Sequence, residues 1–130
     1  GFNIMSSIVT KHDHRGSLSA LSFNNLSFEP KRIFYVKGVP KNTERGNHAH
    51  HNTQQYLICL QGKIQVKLFD GHDESYHLLE RNQMLFVDKL IWDSQVYLTG
   101  ADILLSICST EYNPDDYITD IQEFKKIKGA

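Results

Sequence analysis

The stretch Arg45-Gly46-Asn47-His48-Ala49-His50-His51 runs through Asn52-Thr53-Gln54 into Gln55-Tyr56-Leu57-Ile58-Cys59-Leu60-Gln61-Gly62. Three of the seven histidines of the chain fall in the four consecutive positions 48–51. His48 and His50 are two apart, so on an extended strand both imidazoles project from one face and His51 from the other. Residues 55–60 are almost continuously apolar, and Gln61-Gly62-Lys63 turns the chain back. Two imidazoles on one face serve a metal, an acid/base pair or a polar ligand.

The flanking segments are also strand-like. In Lys31-Arg32-Ile33-Phe34-Tyr35-Val36, Arg32, Phe34 and Val36 share one face, and Ile33 and Tyr35 the other. In residues 64–69, Ile64, Val66 and Leu68 alternate with Gln65 and Lys67, and Asp70-Gly71 is a hairpin signal. Further short strands are predicted at 18–23, 76–79, 84–87, 90–92, 95–98 and 103–108, separated by Asn24-Asn25, Arg81-Asn82, Asp88-Lys89 and Thr99-Gly100-Ala101-Asp102. Residues 11–18 are polar with a Gly break and read as a turn, and 37–44 as a loop. So many short strands at close spacing predict an all-β sandwich or barrel. Only residues 120–128 differ, as a short helix with Ile121, Phe124 and Ile127 inward, or an ordered tail.

The 130 residues, 40% hydrophobic and 22% charged, suit one globular domain spanning 1–130. A net charge of -1 gives no global attraction to nucleic acid or anionic membrane. No apolar run approaches the ~20 residues of a membrane span, and no signal peptide precedes the first strands, which predicts a cytoplasmic protein. Residues 1–4, ahead of Met5, are expected to be an expression remnant. Cys59 and Cys108 each lie in an apolar strand, as reduced core thiols do.

His-x-His, then Gln55 and Gly62, resembles the first motif of the cupin barrel. A metal-binding cupin carries Glu where this chain has Gln55, and a later His where it has Asp93. Gln55 brings no negative charge to offset a divalent cation, which leaves a facial triad completed by Asp93 as the metal alternative. The other uses of His48 and His50 are hydrogen-bonded core residues, or an acid/base pair at the barrel mouth. Arg15, Arg32 and Arg45 sit in or beside strand ends, where guanidinium groups hold phosphate oxygens or are simply solvated. Tyr35 is a core aromatic or a pocket hydroxyl. Lys67 is solvated, or a second anion contact if its face lines the barrel.

Taken in order, Asp13-His14-Arg15-Gly16-Ser17-Leu18, Lys31 to Val36, Arg45-Gly46-Asn47-His48-Ala49-His50, Leu68-Phe69-Asp70-Gly71, Ile91-Trp92, Tyr112, Asp116-Tyr117-Ile118 and Phe124 resemble the small cupin-fold dTDP-sugar 3,4-ketoisomerases related to the WxcM-like C-terminal domain. The resemblance implies a cupin-type, RmlC-like jelly-roll β-barrel. It implies a metal-independent isomerase without a cofactor, converting dTDP-4-keto-6-deoxy-D-glucose to a 3-keto-6-deoxy-hexose, gluco or galacto at C4. His48 and His50 would be the acid/base pair. Arg15, Arg32 and Arg45 would hold the diphosphate, and Tyr35 and Gln55 would contact the sugar; Lys67, read from its strand face alone, is counted with the substrate-binding residues. It also implies a homodimer with exchanged N-terminal strands, in which Arg15 serves the partner's site. Asp93 departs from the usual His of the family, as Ser19 to Ser22 depart from its usual acidic residue. A dTDP-sugar epimerase and a non-catalytic sugar-nucleotide-binding cupin are the alternative functions.

Overall fold

The computed structural model of the chain describes residues 5–130, and the remnant expected at 1–4 lies outside them. The strands are β1 (Met5–Ser7), β2 (Val9–Asp13), β3 (Gly16–Ala20), β4 (Arg32–Val36), β5 (Thr43–His50), β6 (Gln55–Gln61), β7 (Ile64–Phe69), β8 (Glu74–Leu79), β9 (Gln83–Val87), β10 (Trp92–Tyr97), β11 (Ile103–Cys108) and β12 (Tyr117–Ile118), followed by α1 (Ile121–Lys128). Two five-stranded sheets form, in the orders β1-β9-β6-β11-β4 and β12-β5-β10-β7-β8. Every strand pair is antiparallel. The fold is the cupin type, but the two sheets face one another without closing. A separate hairpin of β2 and β3 stands off both sheets.

Strand alternation sorts side chains into layers. Between the sheets lie Leu57 and Cys59 of β6, Ile64, Val66 and Leu68 of β7, Leu85 and Val87 of β9, Tyr97 of β10 and Leu104 of β11. The outer face of the first sheet carries Tyr56, Ile58, Met84, Phe86 and Ile107, roofed by Ile8, Leu21, Leu26 and Phe28. The outer face of the second carries Ala49 and Trp92, roofed by Ile118 and Phe124. The unbroken apolar run in β6 follows from burial on both faces.

Three features depart from the sequence reading. Residues 90–92 and 95–98 do not form two strands: β10 is continuous, and Leu90 precedes it in a left-handed turn at φ 57°. Asp93 and Ser94, which interrupt the apolar pattern, are buried within β10. Residues 11–13, expected to belong to a turn, instead form the end of β2, which pairs only with β3. In α1, Phe124 is buried as expected, but Ile127 is 42% exposed.

Local chemistry closes each end of α1. The Asp120 carboxylate caps the N-terminus by accepting from the Gln122 amide at 2.8 Å. Gly129, at φ 72°, ends the helix in the left-handed conformation that a Cβ disfavours. Phe124 then seats on Trp92 and Phe69, with ring centroids 5.6 and 5.9 Å away. Replacing Phe124 by Ala is expected to cost about 3–5 kcal/mol, read as a lower urea midpoint.

Candidate active site

The site begins with a defect in β5. Its pairing with β10 shifts register between Asp93 and Ser94, where Gly46 (φ 92°) and Asn47 (φ 62°) take left-handed conformations. A Cβ on Gly46 would lie 2.9 Å from Gln95 Nε2 and 3.1 Å from the Asp93 carbonyl oxygen, so only glycine fits. Beyond this bulge, His48 pairs with Asp93 and His50 with Tyr117. The two imidazoles meet edge to face, centroids 5.1 Å apart. The Tyr117 ring packs on both, 5.3 Å from His48 and 4.6 Å from His50.

Arg32 reaches this group from β4, at the edge of the opposite sheet. Its guanidinium lies against Cys108 and Tyr117 and 5.7 Å from the centre of the Tyr112 ring. Its Nε is buried with no hydrogen-bond partner among the described residues. An unpaired guanidinium nitrogen beside two imidazoles is a vacant donor for an anion.

The electrostatics keep both imidazoles neutral near pH 7. Burial lowers the His48 pKa, partly offset by the Gly46 backbone beside its ring, which raises it. Burial pushes His50 down to about 4, with the positive charges of His48 and Arg32 adding to the fall and Asp116 opposing it. Asp116 is itself fixed. Its Oδ1 accepts from the Asn52 amide N–H at 2.7 Å and Asn52 Nδ2 at 3.1 Å, and its Oδ2 from the Thr53 hydroxyl. The His51 amide donates to its carbonyl at 2.9 Å. The segment carrying Asp116 and Tyr117 thus clamps the end of β5 and sets Tyr117 on the histidines.

Of the residues expected at the site, the structure brings together His48, His50 and Arg32. Arg45 is exposed on β5, opposite Gln95, close enough for its charge to act on the Tyr97 hydroxyl. Gln55 lies on the floor rather than at the mouth. It is 2% exposed, its Oε1 accepts from Ser106 at 2.9 Å, and its Nε2 donates to Asp93 at 3.4 Å. Ile64, Val66 and Leu68 take the inner face of β7, as expected, and Lys67 lies on the opposite face, where it pairs with Glu74 at 3.6 Å. Tyr35, 63% exposed, is on the outer face of the first sheet, opposite the face of Arg32. Arg15 sits at the hairpin turn, bound to Asp13 at 2.6 Å. Neither reaches the histidines within one chain.

Tyr117 and Asp116 are the residues that the strand patterns miss. They follow a loop near the end of the chain, and only the ordered match Asp116-Tyr117-Ile118 marked them. Among the described residues, no three His, Cys, Asp or Glu side chains converge as a metal-binding set. Both Asp93 oxygens are already taken, by Gln55 and Gln95.

A histidine whose folded pKa lies below its ordinary ~6.5 binds its proton more readily when unfolded. The stability this confers is complete above pH ~6.5 and is lost as the pH falls toward 4. The His50 ring signals in an NMR titration are expected to move with a midpoint near 4. His50→Asn should flatten the fall in stability over that window.

Residues 3–129 match the family described as FdtA: WxcM-like, C-terminal. The chain is 33% identical over 116 residues to a TDP-4-oxo-6-deoxy-alpha-D-glucose-3,4-oxoisomerase of Aneurinibacillus thermoaerophilus, covering 88% of this chain and 84% of that one. Its fold superposes on a 3,4-ketoisomerase from Helicobacter canadensis with a TM-score of 0.89 at 34% identity, covering 97% and 96% of the two chains. It superposes equally on QdtA, a sugar 3,4-ketoisomerase from Thermoanaerobacterium thermosaccharolyticum solved in complex with TDP, with a TM-score of 0.89, 26% identity and coverage of 96% and 93%. With the match running from the first described strand through α1, this chain belongs to the FdtA, WxcM-like C-terminal family.

Proposed function

We propose that this chain is a TDP-sugar 3,4-ketoisomerase that converts TDP-4-keto-6-deoxyglucose to the 3-keto isomer. The observation that carries this is the His48–His50 pair, 5.1 Å apart and backed by Tyr117, at a mouth whose Arg32 has a free donor. Arg32 binds the diphosphate, with Arg45 beside the entrance. The relatives named above carry the same activity in their names, and one holds TDP.

The reaction moves protons only. His48, partly accessible and with one ring nitrogen facing the Gly46 backbone, uses the other nitrogen as the base that takes the C3 proton. The electron pair forms the C3–C4 double bond and the C4 carbonyl oxygen becomes enediolate. His50, deeper and neutral, shuttles the proton between O3 and O4. The C3–O bond becomes the carbonyl as C4 receives a proton. Neither a net redox change nor an added reactant is needed.

The functional unit is a homodimer. In the β2–β3 hairpin all residues but Thr10 are exposed, which a lone hairpin does not survive in water. Leu18 and Val9 are 64% and 70% exposed, and Ile33 and Tyr35, on the outer face of the first sheet, 61% and 63%. A second copy that covers these surfaces by exchanging N-terminal strands places Arg15 at its partner's site. Tyr35 and Gln55 act as lining and support.

Incubating TDP-4-keto-6-deoxyglucose with the protein and an aminotransferase is expected to trap a 3-amino sugar, whose C4–H couplings give the C4 configuration. His48→Asn or His50→Asn should lower kcat at least about 100-fold while TDP binding by calorimetry persists. Tight TDP binding without turnover would instead establish a sugar-nucleotide-binding module. Deuterium exchange at C5 would establish an epimerase. Light scattering should give twice the 15.0 kDa chain mass.

A further inference from the structure

Beneath the histidines, the space between the sheets holds a group that the proton transfers above do not use. Asp93 is fully buried, and no basic side chain pairs with it among the described residues. Its two oxygens are occupied instead by two side-chain amides. Gln55 Nε2 donates to Oδ2 at 3.4 Å, and Gln95 Nε2 donates to Oδ1. Each amide is polarised from behind by a hydroxyl. Ser106 donates to Gln55 Oε1 at 2.9 Å, and Tyr97 to Gln95 Oε1 at 3.3 Å. All four hydrogen bonds run toward Asp93, so the network is arranged to solvate a negative charge without a cation.

One arm reaches the histidine site. The Gln95 amide lies directly under Gly46, 2.9 Å from where a Cβ would stand. The backbone of Gly46 lies beside the His48 ring and raises its pKa, as an acceptor facing the ring N–H does. Asp93 and His48 are themselves register partners on one face. We propose that Asp93 is a positioning residue: its carboxylate holds the Gln95 amide against the Gly46–Asn47 bulge, and the bulge carbonyl in turn fixes the rotation of the His48 ring.

This arrangement ties the positioning to charge. A neutral Asp93 has a proton to donate, yet both neighbouring groups present N–H to it. Accepting a proton therefore requires Gln55 or Gln95 to turn over, which forces the hydroxyl of Ser106 or Tyr97 to swing from donating to accepting. Burial pushes Asp93 up to about 7, with the Gln95 hydrogen bond holding it down. The titratable groups facing it are His48 and Arg45 on β5, Tyr97 on its own strand, and Cys108 on β11 with Arg32 beyond it; β6 and β7 present Gln55, Leu57, Val66 and Leu68. The carboxylate form, which fixes His48, prevails above neutrality.

The kinetic part of the test rests on the isomerase reading, and the spectroscopic part does not. Asp93→Asn, Tyr97→Phe and the wild-type chain are compared by kcat and KM across pH and by the His48 ring N–H signal in nitrogen-15 NMR. Wild-type kcat is expected to fall on acidification with an inflection near 7. Asp93→Asn should lose that inflection and at least about tenfold in kcat, with KM within about twofold, and its His48 ring N–H should exchange faster with solvent. Tyr97→Phe, which removes a single donor, should move the inflection upward in pH and decides the matter if Asp93→Asn does not fold. A folded Asp93→Asn protein with unchanged kcat and a protected His48 ring N–H overturns the proposal, as does a Tyr97→Phe profile superposing on wild type. If wild type shows no turnover, the isomerase reading fails while the His48 signal still decides the role of Asp93.

Discussion

Between two apolar sheets, burying a polar side chain costs free energy for every hydrogen-bonding atom left unengaged. That constraint divides the interior of this protein. One end is filled by Leu57, Cys59, Ile64, Val66, Leu85 and Leu104 and gives the sandwich its stability. At the other, Gln55, Asp93, Gln95 and Ser106 are buried as a connected set. An unmatched member would cost about 1–3 kcal/mol, so this set has few alternative arrangements. A rigid polar floor is what a pair of imidazoles needs if one ring must meet a carbon-bound proton in a fixed direction.

The walls above that floor come from elements with little stability of their own. β12 is two residues long and pairs only with the end of β5. It is held because Asp116 engages Asn52 and Thr53 on one side and α1 seats Phe124 on Trp92 on the other. The C-terminal helix thereby helps to determine where the Tyr117 ring stands. The bulge in β5 works in a similar way, giving up a regular hydrogen-bond ladder to orient His48.

Much of this was legible in the sequence because strand alternation is a strict rule. It placed His48 with His50, separated Arg32 from Tyr35, and put Ile64, Val66 and Leu68 inward with Lys67 on the opposite face. It failed where a buried strand carries polar residues. Asp93, Ser94 and Gln95 look like a break in an apolar pattern, and nothing local in sequence shows that Gln55, on another strand and itself held by Ser106, bonds to Asp93. It failed also for β2, whose Lys11, His12 and Asp13 have no apolar face and which exists only through pairing with β3. Tyr117 escaped because two-residue strands have no period, and only the ordered motifs of a family identify them.

The clamp between Asn52 and Asp116 joins positions 64 apart in the chain. Closing so long a loop is entropically expensive and comes after local pairing. The hairpin of β7 and β8 is closed by a short turn and can form early, whereas the histidine mouth is complete only when Asp116 and Tyr117 dock on the end of β5. The apolar sandwich can therefore assemble before its working centre does, and loosening the Asp116 clamp is expected to remove activity before it removes the fold.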